Sequence, residues 1–195
     1  MTAPEFAQPL REQSVDRDPF VQFARWFDDA AHAGVRMPEA AAAATATPDG
    51  RPSVRMVLVK ETGDRGFVFY TNYESRKGSE LAANPRAALL FYWDPLGRQV
   101  RIEGPAERLG AEESAAYVRS RPRGSQLSAL ASPQSEVLGS RDELEARVAE
   151  LSARHRDDAE LPLPGNWGGF RLTPETFEFW QHREDRLHDR LRYRR

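Results

Sequence analysis

The sequence predicts a mainly β fold with flanking helices, in which antiparallel strands close into a barrel. Three observations carry that prediction. Six or seven strand-like runs follow one another along the chain, enough to form a barrel. Most are joined by short turn-rich connections, which antiparallel neighbours can use and parallel neighbours cannot. The 195 residues are 39% hydrophobic, with four Trp and ten Phe, so one domain can bury a core.

Taken in order, residues 1–18 are polar and proline-containing and read as a mobile arm, and 19–195 reads as a single domain. From Pro19, Phe20, Phe23, Phe27 and Ala30 share one helical face, with Gly34 as a stop. Ala40 to Thr47 and Arg51 to Lys60 flank Pro48-Asp49-Gly50, a turn signal between two strands. The second strand alternates Val54, Met56 and Leu58 against Arg55, Val57 and Val59. Gly63 to Gly66 then turns the chain into a strand over Phe67 to Thr71. Ser75 reads as the N-cap of a helix that Asn84-Pro85 closes.

Two further strands, Ala87 to Trp93 and Gln99 to Leu109, join around Pro95 to Gly97. Ala111 to Arg119 reads as a short helix followed by an Arg-rich loop. Ser140 and Glu143 form a capping box, with Leu144, Val148 and Leu151 on the buried side. Glu143–Arg147 and Glu150–Arg154 are i,i+4 pairs along that helix. LPLPGNWGG is a loop, and Phe170 to Leu172, Phe177 to Trp180 and Arg186 to Tyr193 read as closing strands.

Composition removes several function classes. Charged residues make up 30% with both signs mixed, and the formal net charge is −2, unlike a generic polyanion or nucleic-acid binder. The absence of cysteine excludes disulfides, thiolate metal sites and a Cys nucleophile. The start MTAPEFAQPLREQ lacks the features of a signal peptide, and no run approaches the ~20 apolar residues of a membrane span. A soluble cytoplasmic protein without a membrane partner is therefore expected. No G-x-G-x-x-G, G-x-x-x-x-G-K-[ST] or G-x-S-x-G motif occurs, and His32, His155, His182 and His188 show no metal-ligand spacing.

Four segments concentrate chemistry. In SRKGSEL, Arg76 and Lys77 fall in the first turn of a helix, where the dipole favours anions and backbone N–H groups are free. Two cations there are unfavourable unless an anion sits between them and the amides, so the segment reads as a phosphate site or as a pair of solvated side chains. RMVLVK carries Arg55 and Lys60 on opposite strand faces, as ligands or as charged strand ends. YVRSRPRGSQ gathers Tyr117, Arg119, Arg121, Arg123, Ser125 and Gln126, suited to a second phosphate or to an ordinary solvated loop. In EFWQHREDRLHDR, period two places Arg186, His188 and Arg190 on one strand face, beside an anionic ligand or on a plain surface strand, with Trp180 offering a flat ring.

In order along the chain, RMVLVK, FYTNYESRKGSEL, FYWDPLGRQVRIEG, SRPRGSQ, SPQS, NWGGFRL, EFWQ and RLHDR resemble the pyridoxamine 5′-phosphate oxidase family, from about Pro19 to Tyr193. The resemblance implies a homodimer of FMN-binding split β-barrels with FMN at the subunit interface. It also implies oxidation of pyridoxine 5′-phosphate and pyridoxamine 5′-phosphate to pyridoxal 5′-phosphate. O2 then reoxidises the flavin to give hydrogen peroxide, and the amine substrate releases ammonia. Carried over by motif, the FMN positions are Arg55, Met56, Val57, Leu58, Val59, Lys60, Tyr70, Thr71, Arg76, Lys77, Gln99, Gln134, Ser135, Trp180 and Arg190. The substrate positions are Lys60, Tyr117, Arg121, Ser125, Arg186, Leu187 and His188. The first four would grip the substrate phosphate, and Arg186 and His188 would orient the pyridine ring as the catalytic pair.

Both ends depart from the family pattern. The region EFAQPLREQ has only Arg11 where the family often has a basic, Tyr-containing lid, and the chain stops at Arg195 where members usually continue into a further strand. Two other readings stand beside the oxidase: a related FMN oxidase of a phenazine precursor, which need not keep the substrate-phosphate residues, and a non-catalytic carrier of FMN or pyridoxal phosphate.

Overall fold

A computed structural model describes residues 9–157 and 160–194. Eight strands are present: β1 (Ala40–Ala46), β2 (Pro52–Gly63), β3 (Gly66–Asn72), β4 (Arg86–Trp93), β5 (Arg98–Arg108), β6 (Trp167–Leu172), β7 (Thr176–Gln181) and β8 (Asp189–Arg194). Five α-helices flank them: α1 (Pro19–His32), α2 (Arg76–Ala83), α3 (Ala111–Ser120), α4 (Arg123–Ala131) and α5 (Arg141–Arg154). All strand pairs are antiparallel. The ring β1–β2–β3–β6–β5–β4 closes on itself, and β7 then β8 extend from the free half of β5. Strand β5 serves both by length: residues 98–103 pair with β7 and 106–108 with β6.

Aromatic rings fill the barrel. Phe67, Phe91, Phe170, Phe177, Phe179 and Trp93 are all buried. Helix α1 adds Phe23, whose ring meets Phe67 edge-on at 4.9 Å, and Trp26, which meets Phe179 at 5.2 Å. The expected helix face holds for Phe23 and Ala30, whereas Phe20 and Phe27 lie at its margin and Trp26 is the deeper ring. Residues 9–18 lie along β8: Leu10 N–H donates to Asp189 and the Tyr193 hydroxyl donates to the Asp16 carbonyl. Residues 1–8 of the expected arm fall outside the described residues.

Three local expectations are overturned. The Arg-rich segment after α3 is a helix rather than a loop, because Pro122 ends α3 and takes the N-cap position of α4. Helix α5 has its Ser140 cap and both i,i+4 pairs, yet none of its residues is fully buried, so its apolar stripe only half-covers a neighbour. The last strand begins at Asp189, not Arg186. Asp185 and Arg186 both take left-handed backbone angles, φ 54° and 60°, and this turn removes Arg186, Leu187 and His188 from the strand. The period-two face joining Arg186 and His188 to Arg190 therefore does not exist.

Among the described residues no helix is long and apolar enough to cross a membrane. Helix α2 packs its first turn directly on the preceding backbone: a Cβ at Gly78 would lie 2.2 Å from the Tyr73 carbonyl oxygen. Gly78→Ala is expected to cost about 1–3 kcal/mol in denaturant unfolding. Gly124→Ala on open α4, where nothing lies within 4 Å of the new methyl, is expected to cost nothing measurable.

Candidate functional site

Ser75 caps α2 as its side chain accepts the Gly78 N–H, which fixes the first turn against β2 and β3. Ser53, Val54, Arg55, Met56, Arg76, Lys77, Gln134 and Ser135 line the resulting cleft of about 430 Å³. Three elements thus build it: β2 gives Arg55 and α2 gives Arg76 and Lys77, which carry its charge, and the turn after α4 gives the neutral Gln134 and Ser135. Ser135 holds a left-handed φ of 76°, unusual for a residue with a Cβ.

Lys77 is buried and has only neutral partners. Its ammonium donates to Thr71 Oγ1 at 2.8 Å and to Gln134 Oε1 at 3.1 Å, while Thr71 also donates to Gln134 at 2.8 Å. Burial, helped by the nearby charge of Arg55, lowers the Lys77 pKa to about 8. Arg55 and Arg76 are held from beneath by Glu80, one turn along α2 and 5% exposed. Its carboxylate accepts from Arg76 Nε at 2.9 Å, from Arg55 Nη2 at 3.5 Å, and from the Thr45 and Ser53 hydroxyls. Burial alone would raise its pKa; the hydrogen bonds from Ser53, Thr45 and Arg76 and the charge of Arg55 outweigh it and hold Glu80 at about 2.

A second cluster lies around β3, β6 and the α3–α4 junction. The rings of Tyr70 and Tyr117 stack at 3.6 Å, and Trp167 lies parallel to Tyr117 with centroids 6.1 Å apart. The Arg121 guanidinium sits 4.7 Å over Trp167, and its Nη1 is buried with no hydrogen-bond partner among the described residues. A buried guanidinium nitrogen without an acceptor is costly, and an anion arriving there would relieve the cost. Burial, then Glu61, raises the Tyr70 pKa, and burial raises that of Tyr117. Ser125 lies in the first turn of α4, whose N-cap Pro122 offers no side-chain cap.

The third cluster spans β5, β7 and β8. Tyr92, Gln99, Trp180 and Arg190 are consecutive cross-strand partners and form one row. The His188 ring lies 4.5 Å from that of Trp180, tilted by 47°, and accepts the Arg183 N–H at its Nδ1. Arg190 donates to Glu178 at 2.8 Å, while Arg186 and Leu187 are exposed on the turn before β8. Lys60, at the far end of β2, lies 3.8 Å from Glu39. Of the remaining β2 positions, Val57 is half-buried, Val59 is in the core, and Leu58 points outward.

The first and third clusters are far apart within one chain. From β2 to β8 the sheet runs through β1, β4, β5 and β7, five steps of roughly 4.8 Å, or ~24 Å around the barrel surface. The straight route is filled by the aromatic core. On the outward face, Val54, Met56 and Leu58 of β2 and Tyr92 of β4 are 68%, 64%, 40% and 55% exposed. Glu80, Thr45, Ser53 and Trp167 belong to these clusters without having been singled out from the sequence. The i,i+4 spacing of Arg76 and Glu80 was a visible signal; the Thr45, Ser53 and Trp167 contacts depend on strand register and carry none. Among the described residues no group of acidic and His side chains could hold a metal ion.

Residues 27–155 match the family model described as pyridoxamine 5′-phosphate oxidase, and residues 167–195 match the pyridoxine 5′-phosphate oxidase C-terminal dimerisation region. The pyridoxine/pyridoxamine 5′-phosphate oxidase of Rubrobacter xylanophilus is 59% identical over 186 residues, 95% of this chain and 85% of that protein. Its namesake from Salinibacter ruber is 55% identical, over 95% of this chain and 86% of that protein. The solved structure of PhzG from Burkholderia lata 383, in complex with tetrahydrophenazine-1-carboxylic acid, superposes with TM-score 0.88 at 38% identity, covering 100% of this chain and 92% of that one.

The buried Lys77 sets a pH dependence. Its folded pKa of about 8 lies below the ordinary value of 10.5, so the folded protein binds fewer protons than the unfolded chain between those values. Stability of the ligand-free protein is therefore expected to rise from pH 8 toward 10.5, and Lys77→Met is expected to flatten that rise in denaturant titrations.

Proposed function

The chain belongs to the pyridoxamine 5′-phosphate oxidase family, and on that premise we propose how its residues carry out the family's reaction. It is an oxidoreductase that converts pyridoxine 5′-phosphate and pyridoxamine 5′-phosphate to pyridoxal 5′-phosphate. O2 is the electron acceptor and hydrogen peroxide a product, with ammonia released from the amine. The observation that carries the assignment of ligands is the presence of two separate cationic places, the Arg55–Arg76–Lys77 cleft and the buried Arg121 guanidinium with an unpartnered Nη1. A reaction between two phosphorylated heteroaromatic molecules requires both.

FMN is the group assigned to the cleft; when bound it supplies the two-electron acceptor for hydride from the substrate's 4′ carbon. The donors present fit its phosphate. Arg55, Arg76 and Lys77 neutralise the dianion, while Thr71, Gln134 and Ser135 orient the ammonium and close the cleft edge. The β2 segment Arg55 to Lys60 lies beside it. Arg121, Tyr117, Ser125 and Lys60 take the substrate phosphate, and Arg121 gains the acceptor its Nη1 lacks. Arg186 and His188 orient the pyridine ring. The hydrogen bond from the Arg183 N–H at His188 Nδ1 leaves Nε2 of the neutral ring as its donor.

Gln99, Trp180 and Arg190 complete the flavin site from a second copy of the chain. Within one chain Gln99, Trp180 and Arg190 lie three, four and five strand steps from β2, ~14, ~19 and ~24 Å around the barrel surface. A homodimer that buries Val54, Met56, Leu58 and Tyr92 brings one protomer's cleft to its partner's β7–β8 face. The matching dimerisation region supports that assembly.

Oxygen uptake by the purified yellow protein is expected with both phosphorylated vitamers and not with their unphosphorylated forms; uptake indifferent to the phosphate would favour a phenazine-type substrate. Lys77→Ala and Arg190→Ala are each expected to be nearly inactive. Their statistically mixed dimers are expected to recover about a quarter of wild-type activity, because half of the dimers carry one intact site out of two. No recovery would place both residues in a site built by a single chain.

A further inference from the structure

Glu80 lies within SRKGSEL but is not among the FMN or substrate positions carried over by motif, yet four donors converge on its carboxylate. Its two carboxylate oxygens divide the work. Oε1 accepts from Arg76 Nε at 2.9 Å, and Oε2 accepts from Arg55 Nη2 at 3.5 Å and from the Thr45 and Ser53 hydroxyls. Arg55 is tied further, its Nη1 donating to the Ala43 carbonyl at 3.1 Å and to Thr45 Oγ1 at 2.6 Å. Glu80 itself is buried beneath the cleft and does not line it.

The geometry points to Glu80 as a positioning residue for flavin phosphate recognition: it grips Arg76 by the Nε edge and Arg55 from below, so that both guanidiniums face the cleft before ligand arrives. The inference rests on the cleft being the FMN phosphate site. Arg76 bonds Glu80 through Nε, leaving its two terminal nitrogens for a ligand in the cleft that it lines. With a side chain otherwise 62% exposed, an untethered Arg76 would sample many rotamers, and ordering them on binding would weaken affinity. A carboxylate so close to a phosphate also repels it, so the two effects oppose one another and the sign of the outcome is decisive. Four donors on a buried anion make the tethering the larger effect. Glutamine cannot replace it, since its NH2 would face donors on one side or the other.

The test is fluorescence titration of apo-protein with FMN and with riboflavin, for wild type, Glu80→Gln and Thr45→Val. Thr45 is buried away from the cleft and joins Glu80 to Arg55, so its variant loosens the tether without changing charge. Wild type is expected to prefer FMN strongly. Glu80→Gln is expected to weaken FMN about tenfold and Thr45→Val about threefold, with riboflavin affinity unchanged in both. Equal losses for FMN and riboflavin would make Glu80 merely structural, and tighter FMN binding by Glu80→Gln would make it only a repelling charge; either overturns the inference. Unchanged FMN binding in both variants overturns it as well. A wild type that does not distinguish FMN from riboflavin would instead remove the phosphate from the cleft, and the underlying reading with it.

Discussion

Charge imbalance beneath the first turn of α2 is the constraint on which the site depends. Arg55, Arg76 and Lys77 converge there against a single carboxylate, Glu80, which leaves two positive charges unbalanced, the charge of a phosphate dianion. Glu80 engages the two guanidiniums and leaves the ammonium with neutral partners only. A buried ammonium without a counter-ion opposes folding, and the lowered pKa of Lys77 expresses that opposition. The fold tolerates the cost because α2 is fixed independently, by the Ser75 cap and by Gly78 lying against Tyr73.

The barrel underlies the proposed two-chain site. Its interior is packed with aromatic rings, so ligands can lie only on its outer face, and strand order decides which residues meet there. The phosphate cleft opens beside β2, while the row Gln99–Trp180–Arg190 crosses β5, β7 and β8 on a distant part of the same surface. Beside the cleft on β2, Val54, Met56 and Leu58 form an exposed apolar row suited to burial against an identical copy. In the proposed assembly, function and dimerisation become one requirement, because the surface a second copy would cover is also the one assigned to the ligands.

How much of this was legible depended on whether a feature was local. The Ser75 cap, the Pro48-Asp49-Gly50 turn and the alternation in β2 are short-range signals, and each appears where the sequence places it. The grouping of Thr71, Lys77, Gln134 and Ser135 rests on motif resemblance, because no periodicity links residue 71 to residue 134; α3 packs on β6, the neighbour of β3, and Gln134 then bonds Thr71 and Lys77. Arginine, glycine and proline together suggest a loop after α3, whereas Pro122 only ends α3 and Arg123 to Ala131 continue as a new helix. The β8 boundary was misread because the left-handed angles fall at Asp185 and Arg186, with no glycine to announce them. Two cations in a first turn suggest an anion from outside, whereas Glu80, one turn away at i,i+4 from Arg76, supplies one from within the chain.

The most direct test is a crystal structure of the protein with FMN bound. The phosphate is predicted to lie against Arg55, Arg76 and Lys77 of one protomer, with the ring system beside Trp180 and Arg190 from the other. A phosphate lying outside that cleft, or a flavin whose every contact comes from a single chain, would contradict the account.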